Sequence, residues 1–153
     1  MTALIKTALR AFDHIPLALL ALLARVVIGL VFFRSGLTKI DGFALRDATF
    51  VLFATEFKVP LLPPVLAAYL ATTTELTIPM LLWAGFATRF AATALLGMTL
   101  VIQTFVYPDA YMTHGLWAIA LLLLMKYGAG ALSIDHFIGL DAETSDTRQQ
   151  EAA

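Results

Sequence analysis

The chain contains no cysteine. That excludes disulfides, Cys-x-x-Cys redox chemistry, thiolate metal ligands and a cysteine nucleophile together. Any redox role must use a bound cofactor or a partner protein. Charge is scarce as well: Asp, Glu, Lys and Arg make up 14% of the 153 residues, and 60% are hydrophobic. Soluble domains carry about 25% charged and about 45–50% apolar residues. A chain this small exposes much of itself, and so few charges cannot cover it for water. The formal net charge is −1, which excludes a basic nucleic-acid binder. A mean hydropathy of +0.85 excludes intrinsic disorder. The lipid bilayer is the solvent this composition suits.

Four apolar stretches are present. They run from Pro16 to about Phe33 with an extension toward Ile40, from Pro64 to Phe86, from Phe90 to Val106, and from Gly115 to Leu132. Each is near the ~20 residues that cross a ~30 Å hydrocarbon core. They are apolar all round rather than striped, unlike the helices of a soluble bundle. The first has Lys6 and Arg10 upstream, as a signal peptide would. Arg25 interrupts it and further spans follow, so it reads as a retained helix. The reading is an all-α integral membrane four-helix bundle.

Three other segments differ in kind. Residues 1–15 read as an interfacial segment. Phe43–Phe57 mixes four phenylalanines with Arg46, Asp47 and Glu56, which predicts a short amphipathic helix between the first two spans, at the interface or in the bundle mouth. Residues 141–153 read as a polar, mobile tail. The transmembrane domain is therefore 16–140. Four spans put both termini on one side, with Lys6, Arg10, Arg89, Lys126 and Arg148. Arg34, Lys39, Arg46 and Lys58 lie opposite, and the loop between the third and fourth spans has no Lys or Arg. The positive-inside rule favours cytoplasmic termini by a small margin.

Two charges fall inside the spans. Arg25 lies roughly 14 Å beyond Pro16 and Glu75 roughly 16 Å beyond Pro64, at 1.5 Å per residue. Both depths are near the midplane, where a charge costs about 2.5–3.5 kcal/mol. Mutual pairing is the expected remedy. The pair serves either as a proton relay or ligand anchor, or as a structural lock on helix register. Arg25, Gly29, Phe32 and Gly36 share one helical face, and Ala68, Thr72, Glu75 and Pro79 form the matching stripe. Pro79 frees a carbonyl near Glu75.

A second polar cluster is expected at the membrane face away from the termini. Arg34, Ser35 and Lys39 close the first helix, Gln103, Thr104 and Tyr107 close the third, and Tyr111 and His114 open the fourth. These residue types could hydrogen-bond the headgroup of a quinone or similar amphiphile, with the tail in an apolar groove. A plain interfacial belt of Tyr, Trp, Lys and Arg is the alternative. A metal site would need His114 with carboxylates such as Asp109 or Asp41. His14 and His136 fall at the other end of the bundle, so no metal is assigned.

The run Arg25-Val26-Val27-Ile28-Gly29 followed by Phe33-Arg34-Ser35-Gly36-Leu37-Thr38-Lys39 resembles the first helix of DoxX-family membrane proteins. The order that follows is similar too: Glu75 in the second helix, the Gly85-Phe86-Ala87-Thr88-Arg89 turn, Tyr107-Pro108-Asp109, and the close Gly128–Asp135. The resemblance covers residues 16–140. It implies a four-helix bundle in the bacterial inner membrane and a link to oxidoreductase systems, thiosulfate:quinone oxidoreductase among them. It is also distantly similar to vitamin K epoxide reductase-type bundles, whose thiol mechanism the missing cysteines exclude. The functional expectation is a membrane subunit that binds quinone or relays electrons or protons to it. Arg25, Glu75 and His114 are its candidate catalytic groups, and Arg34, Lys39, Gln103, Tyr107 and Tyr111 its cofactor-binding groups. The alternatives are a non-catalytic scaffold for a redox, metal-response or peptide-modifying enzyme, and a small-solute or metal transporter. The lipid bilayer, a partner enzyme and a second copy of the chain are the expected partners.

Overall fold

The computed structural model describes residues 15–140. The predicted segment 1–15, apart from Ile15, and the tail 141–153 lie outside the described residues. Helix α1 spans Leu17–Thr38 and ends in a two-stranded hairpin, β1 (Ile40–Asp41) and β2 (Ala44–Leu45). Helix α2 follows at Asp47–Thr55. Then come α3 (Pro64–Ala84), α4 (Thr88–Val101) with a π-helical continuation over Ile102–Val106, α5 (Tyr111–Tyr127) and the short α6 (Ile134–Phe137). Among the described residues three helical runs are long and apolar enough to cross a membrane: Leu17–Thr38, Pro64–Ala84 and Thr88–Val106. The chain is an all-α, multi-pass membrane protein.

Local chemistry sets the ends of these helices. Pro64 occupies the first turn of α3, where its missing N–H costs nothing. Gly85 ends α3 in the left-handed region at φ 64°, and Phe86 N–H closes onto Leu81 O. α4 starts without a cap of its own, since Ala87 at its head offers no side-chain oxygen.

Each long helix packs on the next: α1 on α3, α3 on α4, α4 on α5, and α5 back on α1. The shared core is Ala21, Ile28, Phe32, Leu82, Ala91, Ala92, Leu95, Leu121 and Leu124. Outward positions on the same helices are also apolar. Leu23 is 59% exposed and Leu116 68%. An apolar outside over a packed inside is the pattern of helices whose solvent is lipid.

The stripes expected from the sequence face inward. Arg25, Gly29, Phe32 and Gly36 are buried on α1, and Ala68, Thr72, Glu75 and Pro79 on α3. Gly29 lies against Trp83, and Gly36 against Leu76 and Glu75. Antiparallel packing in this register is staggered, and it overturns the expected Arg25–Glu75 pair. Seven residues along α1 from Gly29 to Gly36 match eight back along α3 from Trp83 to Glu75. The same progression puts Arg25 beside the Gly85 turn, nearly three helical turns from Glu75. Equal depths from opposite faces bring two residues together only where the helices sit flush. α3 instead overhangs the end of α1, and its first turns pack on α2 through Phe53, Ala67 and Ala68.

Other boundaries differ from expectation. The amphipathic helix begins at Asp47 rather than Phe43, because Gly42 turns the chain at φ 59° into the hairpin and leaves Phe43 fully exposed at its tip. The last long helix starts at Tyr111, four residues early, and stops at Tyr127. Gly128 and Gly130 have positive φ there and release the chain into a loop.

Candidate functional site

The end of α1 turns an ordinary helix terminus into a charged wall. Lys39 Nζ donates to Glu75 Oε2 at 2.6 Å, to Ser35 Oγ at 2.9 Å and to Ser35 O at 3.3 Å. Ser35 Oγ donates to Glu75 Oε1 at 3.2 Å. Both charged side chains are at least nine-tenths buried, and theirs is the one ion pair among the described residues. Thr49 on α2 donates to Lys39 O at 2.8 Å and fixes the corner above it.

A second polar pair joins α4 to α5. Gln103 lies in the π-helical turn, a local widening that often accompanies function. Its Nε2 donates to Pro108 O at 2.5 Å, and its Oε1 lies 2.7 Å from His114 Nδ1. The His114 ring is buried and meets Trp117 at a tilt, 4.9 Å between centroids, and Trp117 in turn meets Phe32 at 5.4 Å.

Between these two pairs lies a cavity of about 290 Å³. Lys39, Glu75 and Ser35 line it from the α1–α3 side, and His114 and Trp117 from α5. Phe53 and Phe57 of the α2 region cover it. Phe57 meets Phe53 edge-to-face at 5.3 Å and Tyr107 in the same way at 5.5 Å. The remaining walls are aliphatic, and half-exposed Leu70 and Tyr107 mark a rim open to the bundle surface.

Comparison with known proteins follows the same motifs. The DoxX family model matches residues 20–108, more than half of the chain. The chain belongs to the DoxX family. An uncharacterized protein of Haemophilus influenzae is 31% identical over 127 residues, which cover 76% of this chain and 82% of that protein. No solved structure matches. The DoxX match spans α1 through the end of the π-helical turn, so it includes Ser35, Lys39, Glu75 and Gln103 but not His114.

The structure divides the sequence candidates into three groups. Lys39, Glu75, His114 and Tyr107 line the cavity, and Gln103 holds His114 from behind. Arg34 and Tyr111 do not: both are exposed and outside the lining. Arg34 follows Phe33 on the outer face of α1, one helical step from inward Ser35. Tyr111 precedes His114 by three residues at the start of α5 and is 68% exposed.

Arg25 belongs to another cluster at the far end of the bundle. Its Nη2 donates to Leu132 O at 2.6 Å, and its guanidinium lies against Gly85. Nearby, the Asp135 carboxylate accepts the backbone N–H groups of Ala87 at 2.7 Å and Thr88 at 2.8 Å, supplying the cap that α4 lacks. Asp135 N–H donates to Gly85 O at 2.8 Å. The Gly85–Arg89 and Gly128–Asp135 motifs of this DoxX chain are thus two sides of one joint. Sequence reasoning missed the capping role of Asp135. The only local signal is Ser133, which caps His136 N–H and opens α6. Phe53, Phe57 and Trp117 were also missed as cavity walls, since aromatic residues at helical spacing read equally well as core.

Proposed function

We propose that the chain is a membrane subunit of an oxidoreductase system that holds a quinone-type headgroup in the α1–α3–α4–α5 cavity. The observation that carries this reading is the pairing of two polar sets, buried Lys39–Glu75 and half-buried Gln103 on buried His114, across one apolar cavity. Ligand sites are mostly apolar with a few convergent polar groups. At about 290 Å³ the cavity sits at the low end of their usual ~300–1,000 Å³, which suits a single ring with its tail leaving past Leu70 and Tyr107. A bound quinone would supply the two-electron chemistry that a cysteine-free chain cannot. Glu75, Tyr107 and His114 would hold it, with Lys39 and Gln103 behind.

In this proposal α5 is the fourth span. Its 17 residues give about 26 Å, short but within the range that crosses. The bundle resides in a bacterial inner membrane with cytoplasmic termini, so the cavity opens toward the other face.

The test is solvent extraction of the purified protein in lipid nanodiscs, followed by quantification of quinone. Stoichiometric quinone in the native chain, lost in His114→Leu at normal abundance, supports the reading. Native protein that neither retains nor rebinds quinone removes it and leaves a scaffold role.

A further inference from the structure

The polar groups of the cavity can be sorted by what they still have to offer. Lys39 has three N–H donors, and all three are used: on Ser35 O, Ser35 Oγ and Glu75 Oε2. Ser35 has one O–H, and it is used on Glu75 Oε1. No proton is left on these two side chains. Each Glu75 oxygen accepts a single bond and keeps a free lone pair. The Lys39–Ser35–Glu75 cluster therefore presents acceptors only, in spite of its lysine.

The opposite wall follows the same logic. Pro108 O can only accept, so the Gln103 amide nitrogen must face it. Gln103 Oε1 is then the atom beside His114 Nδ1, and it too can only accept. His114 must carry its proton on Nδ1. Among the described residues no carboxylate lies within ion-pair distance to balance a second proton on this buried ring. In the neutral ring Nε2 is bare and accepts. Gln103 is a positioning residue that sets the polarity of His114.

We infer that the cavity selects a ligand bearing two hydroxyl donors, the hydroquinone rather than the quinone, through Glu75 on one wall and His114 Nε2 on the other. This rests on the cavity being the site proposed above, and it names the form that site prefers. A quinone carbonyl would place a lone pair against a lone pair at each end. A hydroquinone satisfies both. The hydroxyls of Thr74 and Tyr107, also on the lining, can donate or accept and so do not discriminate.

The test uses the full chain in nanodiscs and three probes: a decyl-chain benzoquinone, its chemically reduced hydroquinone under anaerobic conditions, and the dimethyl ether of that hydroquinone. Binding is read by equilibrium dialysis. The hydroquinone should bind at least tenfold tighter than either of the others, because a mismatched buried polar pair strongly disfavours a ligand. By linkage a tenfold preference raises the midpoint potential of the bound couple by about 30 mV. Nitrogen-15 NMR should find His114 protonated at Nδ1. Equal or tighter binding of the quinone, an ether that binds as well as the hydroquinone, or a His114 protonated at Nε2 overturns the inference while leaving a quinone site in place. Failure of all three probes to bind overturns the site itself.

Discussion

Lys39 Nζ lies 2.6 Å from Glu75 Oε2, both side chains buried, while Arg25 is held at the other end of the bundle on Leu132 O. Breaking a buried pair by removing one partner leaves an uncompensated charge and costs about 3–5 kcal/mol. Lys39→Met should therefore lower stability by about that amount, and Glu75→Leu likewise. The double variant Lys39→Met/Glu75→Leu should recover most of the loss. Arg25→Met combined with Glu75→Leu should be additive within about 0.5 kcal/mol, as for separated sites. Unfolding of these four variants and of Arg25→Met alone in detergent gives both couplings directly.

The inward stripe of α1 predicts a contrast among glycines. A Cβ on Gly36 would sit 2.8 Å from Leu76 Cδ2 and 3.1 Å from Glu75 Cβ. Gly36→Ala should cost about 1–3 kcal/mol through overpacking. Gly97 and Gly115 have nothing within 4 Å of such a carbon. Alanine there should be neutral or stabilising by up to about 1 kcal/mol. Thermal midpoints of the three single variants check the order.

These stripes were legible in the sequence because helical periodicity is local. Gly29 and Gly36 are seven apart, and seven residues return to the same face whatever the helix packs against. The partner of Glu75 was not legible. It depends on stagger, which the overhang of Pro64 beyond Thr38 and its support by α2 decide, and neither follows from depth along a single span. Lys39 was visible as a cavity candidate and Glu75 as a buried charge, but the three-dimensional register alone joins them. The same holds for Asp135, 48 residues from Ala87, whose capping role exists only once α6 folds onto the α3–α4 turn.

That joint makes its own prediction. Asp135 is buried, and its carboxylate takes two backbone N–H groups at the positive end of α4. Asp135→Ala should destabilise the fold by about 2 kcal/mol. Asp135→Asn keeps one acceptor and should cost about half as much. Hydrogen exchange should accelerate at Ala87 and Thr88 in the alanine variant before it does so in the core around Leu95.

The absence of cysteine makes orientation measurable with single substitutions. Phe43 is fully exposed at the hairpin tip beyond the end of α1, and Phe137 is 85% exposed on α6 at the other end. With cytoplasmic termini, Phe43→Cys in intact spheroplasts should react with a membrane-impermeant maleimide. Phe137→Cys should react only after permeabilisation. The reverse pattern inverts the proposed topology.

Gln103 offers the sharpest separation of positioning from packing. Its amide spans Pro108 O and His114 Nδ1, so Gln103→Leu removes both bonds and leaves the imidazole without its partner. The cost in stability should be about 1–3 kcal/mol, that of an unsatisfied buried group. The ring is then free to carry its proton on either nitrogen, and the His114 nitrogen-15 signals should move toward a mixture of the two forms. Affinity for hydroquinone should fall while affinity for quinone stays level or rises, because Nε2–H can donate to a carbonyl. A purely structural role for Gln103 would weaken both ligands alike. The ratio of the two affinities, compared between Gln103→Leu and the native chain, decides between them.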